Sequence, residues 1–408
     1  MTKITEKFDN LSSLISPRRD IKRPVYNWHS FKHSYSKELV DLLIKKFNLK
    51  EGTWVLDPFC GGGTTLLACK ELGINSRGYD ILPFSVFLSN VKTRDYNIQQ
   101  LIEANKSFIK SNNISSKSHS LPDIPIAKKA FSLEIENILL ALKKRINTIK
   151  EHNTRDFLML CLLSILEEVS NTSKAGGFLR IVQKEIEPQT IEEILKNIII
   201  KRVHDVLNYK LSLNGHHADV SARVGDARKI RTQKKFDAII TSPPYPNRHD
   251  YTRIYGLEMI FDFITSNNEL KKVRYETIRS HVEARQKYKA LDYVQPKTLS
   301  ILIDKIKNNG VNNSQVLDMI DGYFEDMYLA LCEMKRCLNK SGQIALVVSN
   351  VRFAGINLPV DELLSEIGKQ AGLKPKGIWI ARLRGNSSQQ MRDYKRIPSR
   401  ESIVFWSK

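Results

Sequence analysis

Residues 53–73 read TWVLDPFCGGGTTLLACKELG. The short run Thr53 to Leu56 is β-rich, a glycine-rich turn follows, and a helical pattern then continues until Gly73. This is one strand–turn–helix unit, punctuated by the residues that end regular structure most cheaply. Residues 74–92, INSRGYDILPFSVFLSNVK, repeat the arrangement, with a strand ending near Asp80 and a helix opening at Pro83. Together the two segments predict a βαβ unit, and with it an α/β architecture.

The same pattern returns far along the chain. DVSARVGDARKI and FDAIITSPPY each contain a short strand. The helical stretch DGYFEDMYLALCEMKRCL leads through Asn339 to Gly342 into the strand QIALVVSN. KGIWIARL and ESIVFWSK then pair as a hairpin across the long polar loop RGNSSQQMRDYKRIPSR. Before the first strand, Ser36 is placed to cap a helix over 36–47. Counting gives about seven core strands, so the expected fold is a doubly wound, Rossmann-like sheet with a C-terminal antiparallel hairpin. Residues 96–217 carry almost no strand signal and read as a helical insertion, clearest at 133–150 and 155–169. Residues 265–315 form a second, basic insertion. The expected divisions are an N-terminal arm and first core segment (1–95), the helical insertion (96–217), a second core segment (218–264), the basic insertion (265–315) and the C-terminal core (316–408).

The 64 Lys and Arg against 44 Asp and Glu give the 408-residue chain a net charge of +20. A surplus of that size points to a polyanionic partner such as nucleic acid, with a solvated basic surface as the plain alternative. No stretch approaches the ~20 apolar residues that cross a bilayer. The first twenty residues lack the apolar segment of a signal peptide, so the expected location is cytoplasmic, with no membrane association. The five cysteines contain no CxxC pair, which argues against a zinc site and a disulfide framework; no metal is expected.

In a doubly wound sheet, ligands sit outside the carboxyl ends of the strands. Four candidate segments follow strands here: the glycine turn, Asp80, Asp226 in VGDARKI, and Ser242 to Tyr245. DPFCGGGTT lacks both the GxxxxGK[ST] spacing and the GxGxxG pattern, so neither a nucleoside triphosphate nor a dinucleotide fits well. Its glycines still admit a ligand close to the backbone, and the following helix offers free N–H groups to a carboxylate. Asp80 is placed to accept ribose hydroxyls, and Asp226 to accept the exocyclic amino group of an adenine. Each aspartate alone is more often a cap or turn residue. Jointly the groups suit a nucleoside that carries an amino-acid carboxylate and no phosphate.

DPFCGGGTT followed by GYD, GDA and TSPPY resembles the Class I, S-adenosylmethionine-dependent amino-methyltransferases that act on DNA. The resemblance extends to YNWHSFKHSYSKELV before the glycine turn and to GNSSQQMRDYKRIPSRESIVFW at the C-terminus, and covers roughly half the chain. It implies that Asp57, Pro58, Phe59, Gly61, Gly63 and Thr64 hold the methionine part of S-adenosylmethionine, with Asp80 and Asp226 completing the cofactor site. It also implies that Ser242, Pro243, Pro244 and Tyr245 hold the target base. A leading serine is usual in the cytosine-N4 branch and aspartate in adenine-N6 enzymes, so adenine-N6 methylation stays open. The partner implied is double-stranded DNA, modified within a restriction–modification system alongside a separate endonuclease; the sequence fixes no oligomeric state.

The chemistry of FDAIITSPPY is consistent with that role. An exocyclic amino nitrogen is a poor nucleophile until its lone pair is localised and aimed at the methyl group. The Ser242 hydroxyl and the Pro243 carbonyl can accept its two hydrogens, Pro243 and Pro244 hold that carbonyl rigid, and Tyr245 can stack on the base. The target would have to be flipped out of the duplex. The sequence contains no Pro-Cys pair, which disfavours covalent attack on the cytosine ring. Tyr26, Trp28, His29 and Phe31 are candidates for the cofactor entrance or for core packing. His249 and Asp250 are candidates for a proton relay or DNA contact without an assigned catalytic role. Lys174 to Arg180 reads as a cationic loop near DNA or in solvent, and residues 271–289 as a target-recognition segment or a solvated charged helix. The other readings kept open are RNA amino-methylation, a silent DNA-binding protein on the same scaffold, and an NTP-using enzyme.

Overall fold

In parallel strands the side chains alternate between two covered faces, and residues 238–240 and 344–348 do this strictly. Ile239, Ile344, Leu346 and Val348 enter one core, while Ala238, Ile240, Ala345 and Val347 enter another. The result is a sheet sandwiched between helical layers. The computed structural model describes residues 2–31, 34–110, 120–213, 215–311, 313–385 and 394–408. Its strands are β1 (Ile4–Glu6), β2 (Trp54–Asp57), β3 (Asn75–Asp80), β4 (Thr172–Ala175), β5 (Phe178–Ile181), β6 (Val220–Val224), β7 (Phe236–Thr241), β8 (Leu338–Ser349), β9 (Val351–Phe353), β10 (Ile356–Leu358), β11 (Lys374–Arg384) and β12 (Ser399–Ser407).

Eight strands form the central sheet in the order β6-β3-β2-β7-β8-β12-β11-β1. All pairs are parallel except those of β12, which runs antiparallel between β8 and β11. The doubly wound sheet with its C-terminal hairpin is therefore present, with one strand more than the seven expected. The addition is β1, three residues in a stretch that reads as a polar arm; it pairs Ile4, Thr5 and Glu6 with Ile378, Trp379 and Ile380. Such a short strand has no periodicity to detect.

One helical layer contains Gln315–Cys337 and Val360–Gln370, packed through Tyr323, Phe324, Leu364 and Ile367. The opposite layer contains Lys37–Lys46, whose Leu39, Val40 and Leu43 meet Val55 and Phe405. Ser36 does precede that helix, but its hydroxyl donates to the Leu14 carbonyl at 2.9 Å and makes no cap bond. The inserted segment contributes helices Ile98–Lys110, Pro125–Ala130, Leu133–Asn147, His152–Ile165 and Ile191–Ser212. They form a separate apolar core with Trp28, Phe84 and Leu88. The insertion is not wholly helical: Lys174 to Arg180, read as a loop, belongs to the antiparallel β4–β5 ribbon.

Candidate active site

Parallel strands all end on the same rim, so β2, β3, β6 and β7 deliver Asp57, Asp80, Asp226 and Ser242 to one place. A cleft opens there, lined among others by Asp57, Pro58, Phe59, Gly61, Thr64, Asp80, Asp226, Ser242 and Pro244. It lies where the strand order reverses between β2 and β7, the expected position for a ligand in a doubly wound sheet. Thr241 closes the seam, donating its hydroxyl to Asp57 across the two strands at 2.5 Å.

The glycine turn and Asp80 are built as one unit. Gly61 and Gly63 hold φ values of +46° and +79°, a region costly for residues with a side chain. The Gly61 N–H donates to Asp80 Oδ2 at 3.0 Å, and the Leu82 N–H donates to Oδ1 at 2.9 Å. Beneath the turn, the buried Lys92 ammonium donates to the carbonyls of Tyr26 and Gly62, and burial lowers its pKa to about 7. Phe31 covers the turn from above: a Cβ on Gly61 would stand 2.8 Å from its ring. Gly63 does not line the cleft. Its Cα faces Ser89, whose Oγ would lie 2.8 Å from an added Cβ, so its glycine serves the turn and the packing of the following helix.

Asp57 and Asp80 have no cationic partner among the described residues. Burial pushes both carboxyl groups up to about 6, only partly offset by their hydrogen bonds. Asp226 differs. Its Oδ1 accepts the Arg228 backbone N–H and Nε at 3.0 and 2.9 Å; its Oδ2 accepts Arg228 Nη2 at 2.8 Å and faces Lys287 Nζ at 3.3 Å. These donors fill the roughly four acceptor positions of a carboxylate. Asp226 thus borders the cleft in place but is not a vacant acceptor for an adenine amino group, and its pKa is lowered as those donors outweigh its burial. Arg228 is itself buried and also pairs with Asp326 at 2.9 Å, which leaves no free cation there for a phosphate.

At the end of β7, the Ser242 hydroxyl lies 3.0 Å from the Val347 carbonyl and 3.2 Å from the Tyr245 hydroxyl. A hydroxyl has one proton and two lone pairs; with the proton on Val347, the oxygen retains acceptor capacity. Ser242 and Pro244 line the cleft, Pro243 is buried, and Tyr245 is half-buried, packed against the core that contains Phe324 and Leu346. The aromatic residues lining the cleft are Phe31, Tyr35, Phe59 and Tyr251, of which Tyr251 alone lies outside the quoted motifs.

Residues 271–289 display only part of their charge outward: Lys271, Lys272, Arg285 and Lys289 are exposed, while other cations of the segment are paired. Arg274 pairs with Asp250, Arg279 with Glu325 and Asp326, and Lys287 with Glu276. Glu276, Thr277, Ile278, Ser280 and His281 instead form a wall of the cleft, which no local pattern predicts. Asp250 is a buried helix cap, bonding the Thr252 N–H at 2.9 Å. Of the N-terminal aromatic cluster, Phe31 lines the cleft, Trp28 packs in the helical core, and Tyr26 and His29 border an adjoining groove. That groove shares Phe31, Gly62 and Thr64 with the cleft and is edged by Lys92, His249, Gly176 and Arg384. The C-terminal motif falls partly on residues 386–393, outside the described residues.

The five cysteines are free thiols, and the described residues hold no His, Cys, Asp and Glu cluster suited to a metal. No described helix is long and apolar enough to cross a membrane. Among the described residues the cleft offers buried carboxylates without counter-charges and backbone freed by glycine, and it holds no uncommitted cation. It fits a ligand that brings hydroxyl and ammonium donors and positive charge, which S-adenosylmethionine has and a triphosphate lacks. Topology and cleft together define a Rossmann-like, S-adenosylmethionine-dependent methyltransferase.

Comparison with known proteins narrows the class. Residues 8–86 match the DNA methylase family. The Type II methyltransferase M.BsoBI of Geobacillus stearothermophilus is 34% identical, aligned over 99% of this chain and 89% of that one. M.AvaI of Nostoc is 29% identical over 97% and 89%, and M.MvaI of Kocuria varians 23% identical over 83% and 80%. The chain belongs to the Type II DNA methyltransferases of restriction–modification systems.

Proposed function

We propose that the chain methylates the N4 amino group of a cytosine within a specific sequence of double-stranded DNA, in the cytoplasm, protecting it from a separate cognate endonuclease. The observation that carries the cytosine assignment is Ser242. It ends β7 at the cleft with its hydroxyl held by the Val347 carbonyl, directly before two prolines that fix the backbone.

When bound, S-adenosylmethionine supplies an electrophilic methyl group on a positively charged sulfur. Asp80 is suited to its ribose hydroxyls. Asp57, Gly61 and the N-terminus of helix Thr64–Glu71 are suited to its amino-acid end, with Pro58 and Phe59 as apolar lining. Asp226 takes an adenine amino group by exchanging Lys287, the longest of its four contacts. At the target, the Ser242 oxygen and the Pro243 carbonyl accept the two amino hydrogens of a flipped cytosine. This draws the nitrogen lone pair out of conjugation and holds it toward the methyl group. S-adenosylmethionine bound there would supply the methyl group to the nitrogen that Ser242 and Pro243 hold, its sulfur would keep the bonding electron pair, and the extra proton on nitrogen would leave to water.

The test is to incubate the protein with S-adenosylmethionine and unmethylated DNA, digest to nucleosides and identify the products by mass spectrometry. N4-methylcytosine is expected. N6-methyladenine would overturn the base assignment while leaving the enzyme class, and methylation confined to RNA would overturn the substrate.

A further inference from the structure

The β4–β5 ribbon of the insertion reaches the target loop, and it is firmly held on one face. Lys174 is buried and pairs with Glu258, a carboxylate 1% exposed that His29 Nε2 also meets at 2.9 Å. Leu179, the cross-strand partner of Lys174, packs on Gly256. At the tip, Gly177 lies so close to His249 that an added Cβ would stand 2.6 Å from the imidazole ring, which couples the ribbon to the loop after Ser242–Tyr245.

The opposite face of the ribbon is unused by the fold. Phe178 and Arg180 share it, because alternate residues of a strand point the same way. Phe178 is 51% exposed, and Arg180 is exposed without an ion-pair partner among the described residues. The tip also stands between two grooves. On one side Gly176 faces the groove with His29, His249 and Arg384; on the other, Phe178 borders a second groove with Arg253 and Lys271. An exposed aromatic ring at the tip, with Arg384 (which also meets Glu401) on one side and the exposed Lys271 and Arg253 (which also meets Asp250 and Glu283) on the other, matches a nucleic acid in charge and shape.

We propose that this tip enters the duplex beside the target base and that Phe178 fills the gap the extruded base leaves in the stack. The inference rests on the DNA methyltransferase reading above. Extruding a base unstacks its neighbours, and an inserted apolar side chain restores part of that contact. The cations of the two grooves then lie on either side of the opening, where strand phosphates pass. Because Lys174, Glu258 and His29 already fix the ribbon, little ordering is needed on binding.

Phe178→Ala and Phe178→Trp test this, with S-adenosylmethionine affinity and thermal unfolding as controls for the fold. The DNA probe is the duplex that the unaltered protein methylates, with 2-aminopurine at the methylated position to report extrusion. The expected result for Phe178→Ala is unchanged cofactor affinity, loss of the fluorescence rise, and a methylation rate lower by about tenfold or more on the normal duplex. The rate should recover on a duplex whose target base faces an abasic site, and Phe178→Trp should stay near the unaltered protein. Equal rates for Phe178→Ala and the unaltered protein on the normal duplex would overturn the proposal, as would equal losses on both duplexes. Failure of the unaltered protein to methylate any DNA would instead overturn the reading on which it rests.

Discussion

Replacing Asp80 by alanine separates the cofactor role of this carboxylate from its part in holding the glycine turn. The substitution orphans two backbone donors, Gly61 N–H and Leu82 N–H. A buried unsatisfied group costs about 1–3 kcal/mol, and the open cleft lets water reach both, so a total near 2–3 kcal/mol follows. The change also removes an ionised carboxylate whose pKa is raised to about 6 by burial. Some two units above the usual value correspond to about 3 kcal/mol of strain at pH 7.5. The opposing terms are of similar size, so the protein without cofactor should melt within about 4 °C of the unaltered chain. Cofactor binding has no such offset: one or two charge-assisted hydrogen bonds at about 1.5–3 kcal/mol each predict a dissociation constant raised at least tenfold. Differential scanning calorimetry and isothermal titration with S-adenosylmethionine read the two quantities separately. A large fall in melting temperature with unchanged affinity in the surviving folded protein would refute the reasoning.

Other perturbations follow from the same geometry. Gly63→Ala should lower stability by about 2 kcal/mol or more, because its φ of +79° and the 2.8 Å approach to Ser89 Oγ both oppose a side chain; urea unfolding measures it. Arg228→Ala leaves the buried Asp326 with Arg279 alone and Asp226 with Lys287 alone, so a loss of about 3–5 kcal/mol in the same assay is expected. His29 is held neutral, its pKa lowered to about 4 by burial, with Lys174 nearby. Its folded pKa lies below the unfolded one, so the stability it gives is present above pH 6.5 and is lost as the pH falls toward 4. His29→Gln should therefore flatten the stability profile between those values, by up to about 2 kcal/mol at pH 5, when compared with the unaltered protein.

The motifs were legible because they sit at strand ends. The strands around DPFCGGGTT, GYD, GDA and TSPPY are short, and a parallel sheet necessarily gathers their carboxyl ends on one rim. Asp57, Asp80 and Ser242 could thus be placed together from sequence order alone. What stayed hidden depends on distance along the chain. The wall at residues 276–281 comes from a segment whose composition looks basic and exposed, yet Arg274, Arg279 and Lys287 each find a carboxylate from another element. Charge that is paired across the fold cannot be told from charge facing solvent in one sequence. The filled acceptor sites of Asp226 and the packing of Tyr245 against the core are likewise tertiary facts, invisible in GDA and PPY.

The central claim is that the Ser242 oxygen receives the target amino group, and the most direct measurement is the single-turnover rate of methyl transfer for Ser242→Ala at saturating S-adenosylmethionine. Loss of one preorganised partner of the reacting group predicts a rate lower by about 100-fold with unchanged cofactor affinity. The account predicts this for N4-methylcytosine formation. An unchanged rate would contradict it, as would a product found to be N6-methyladenine.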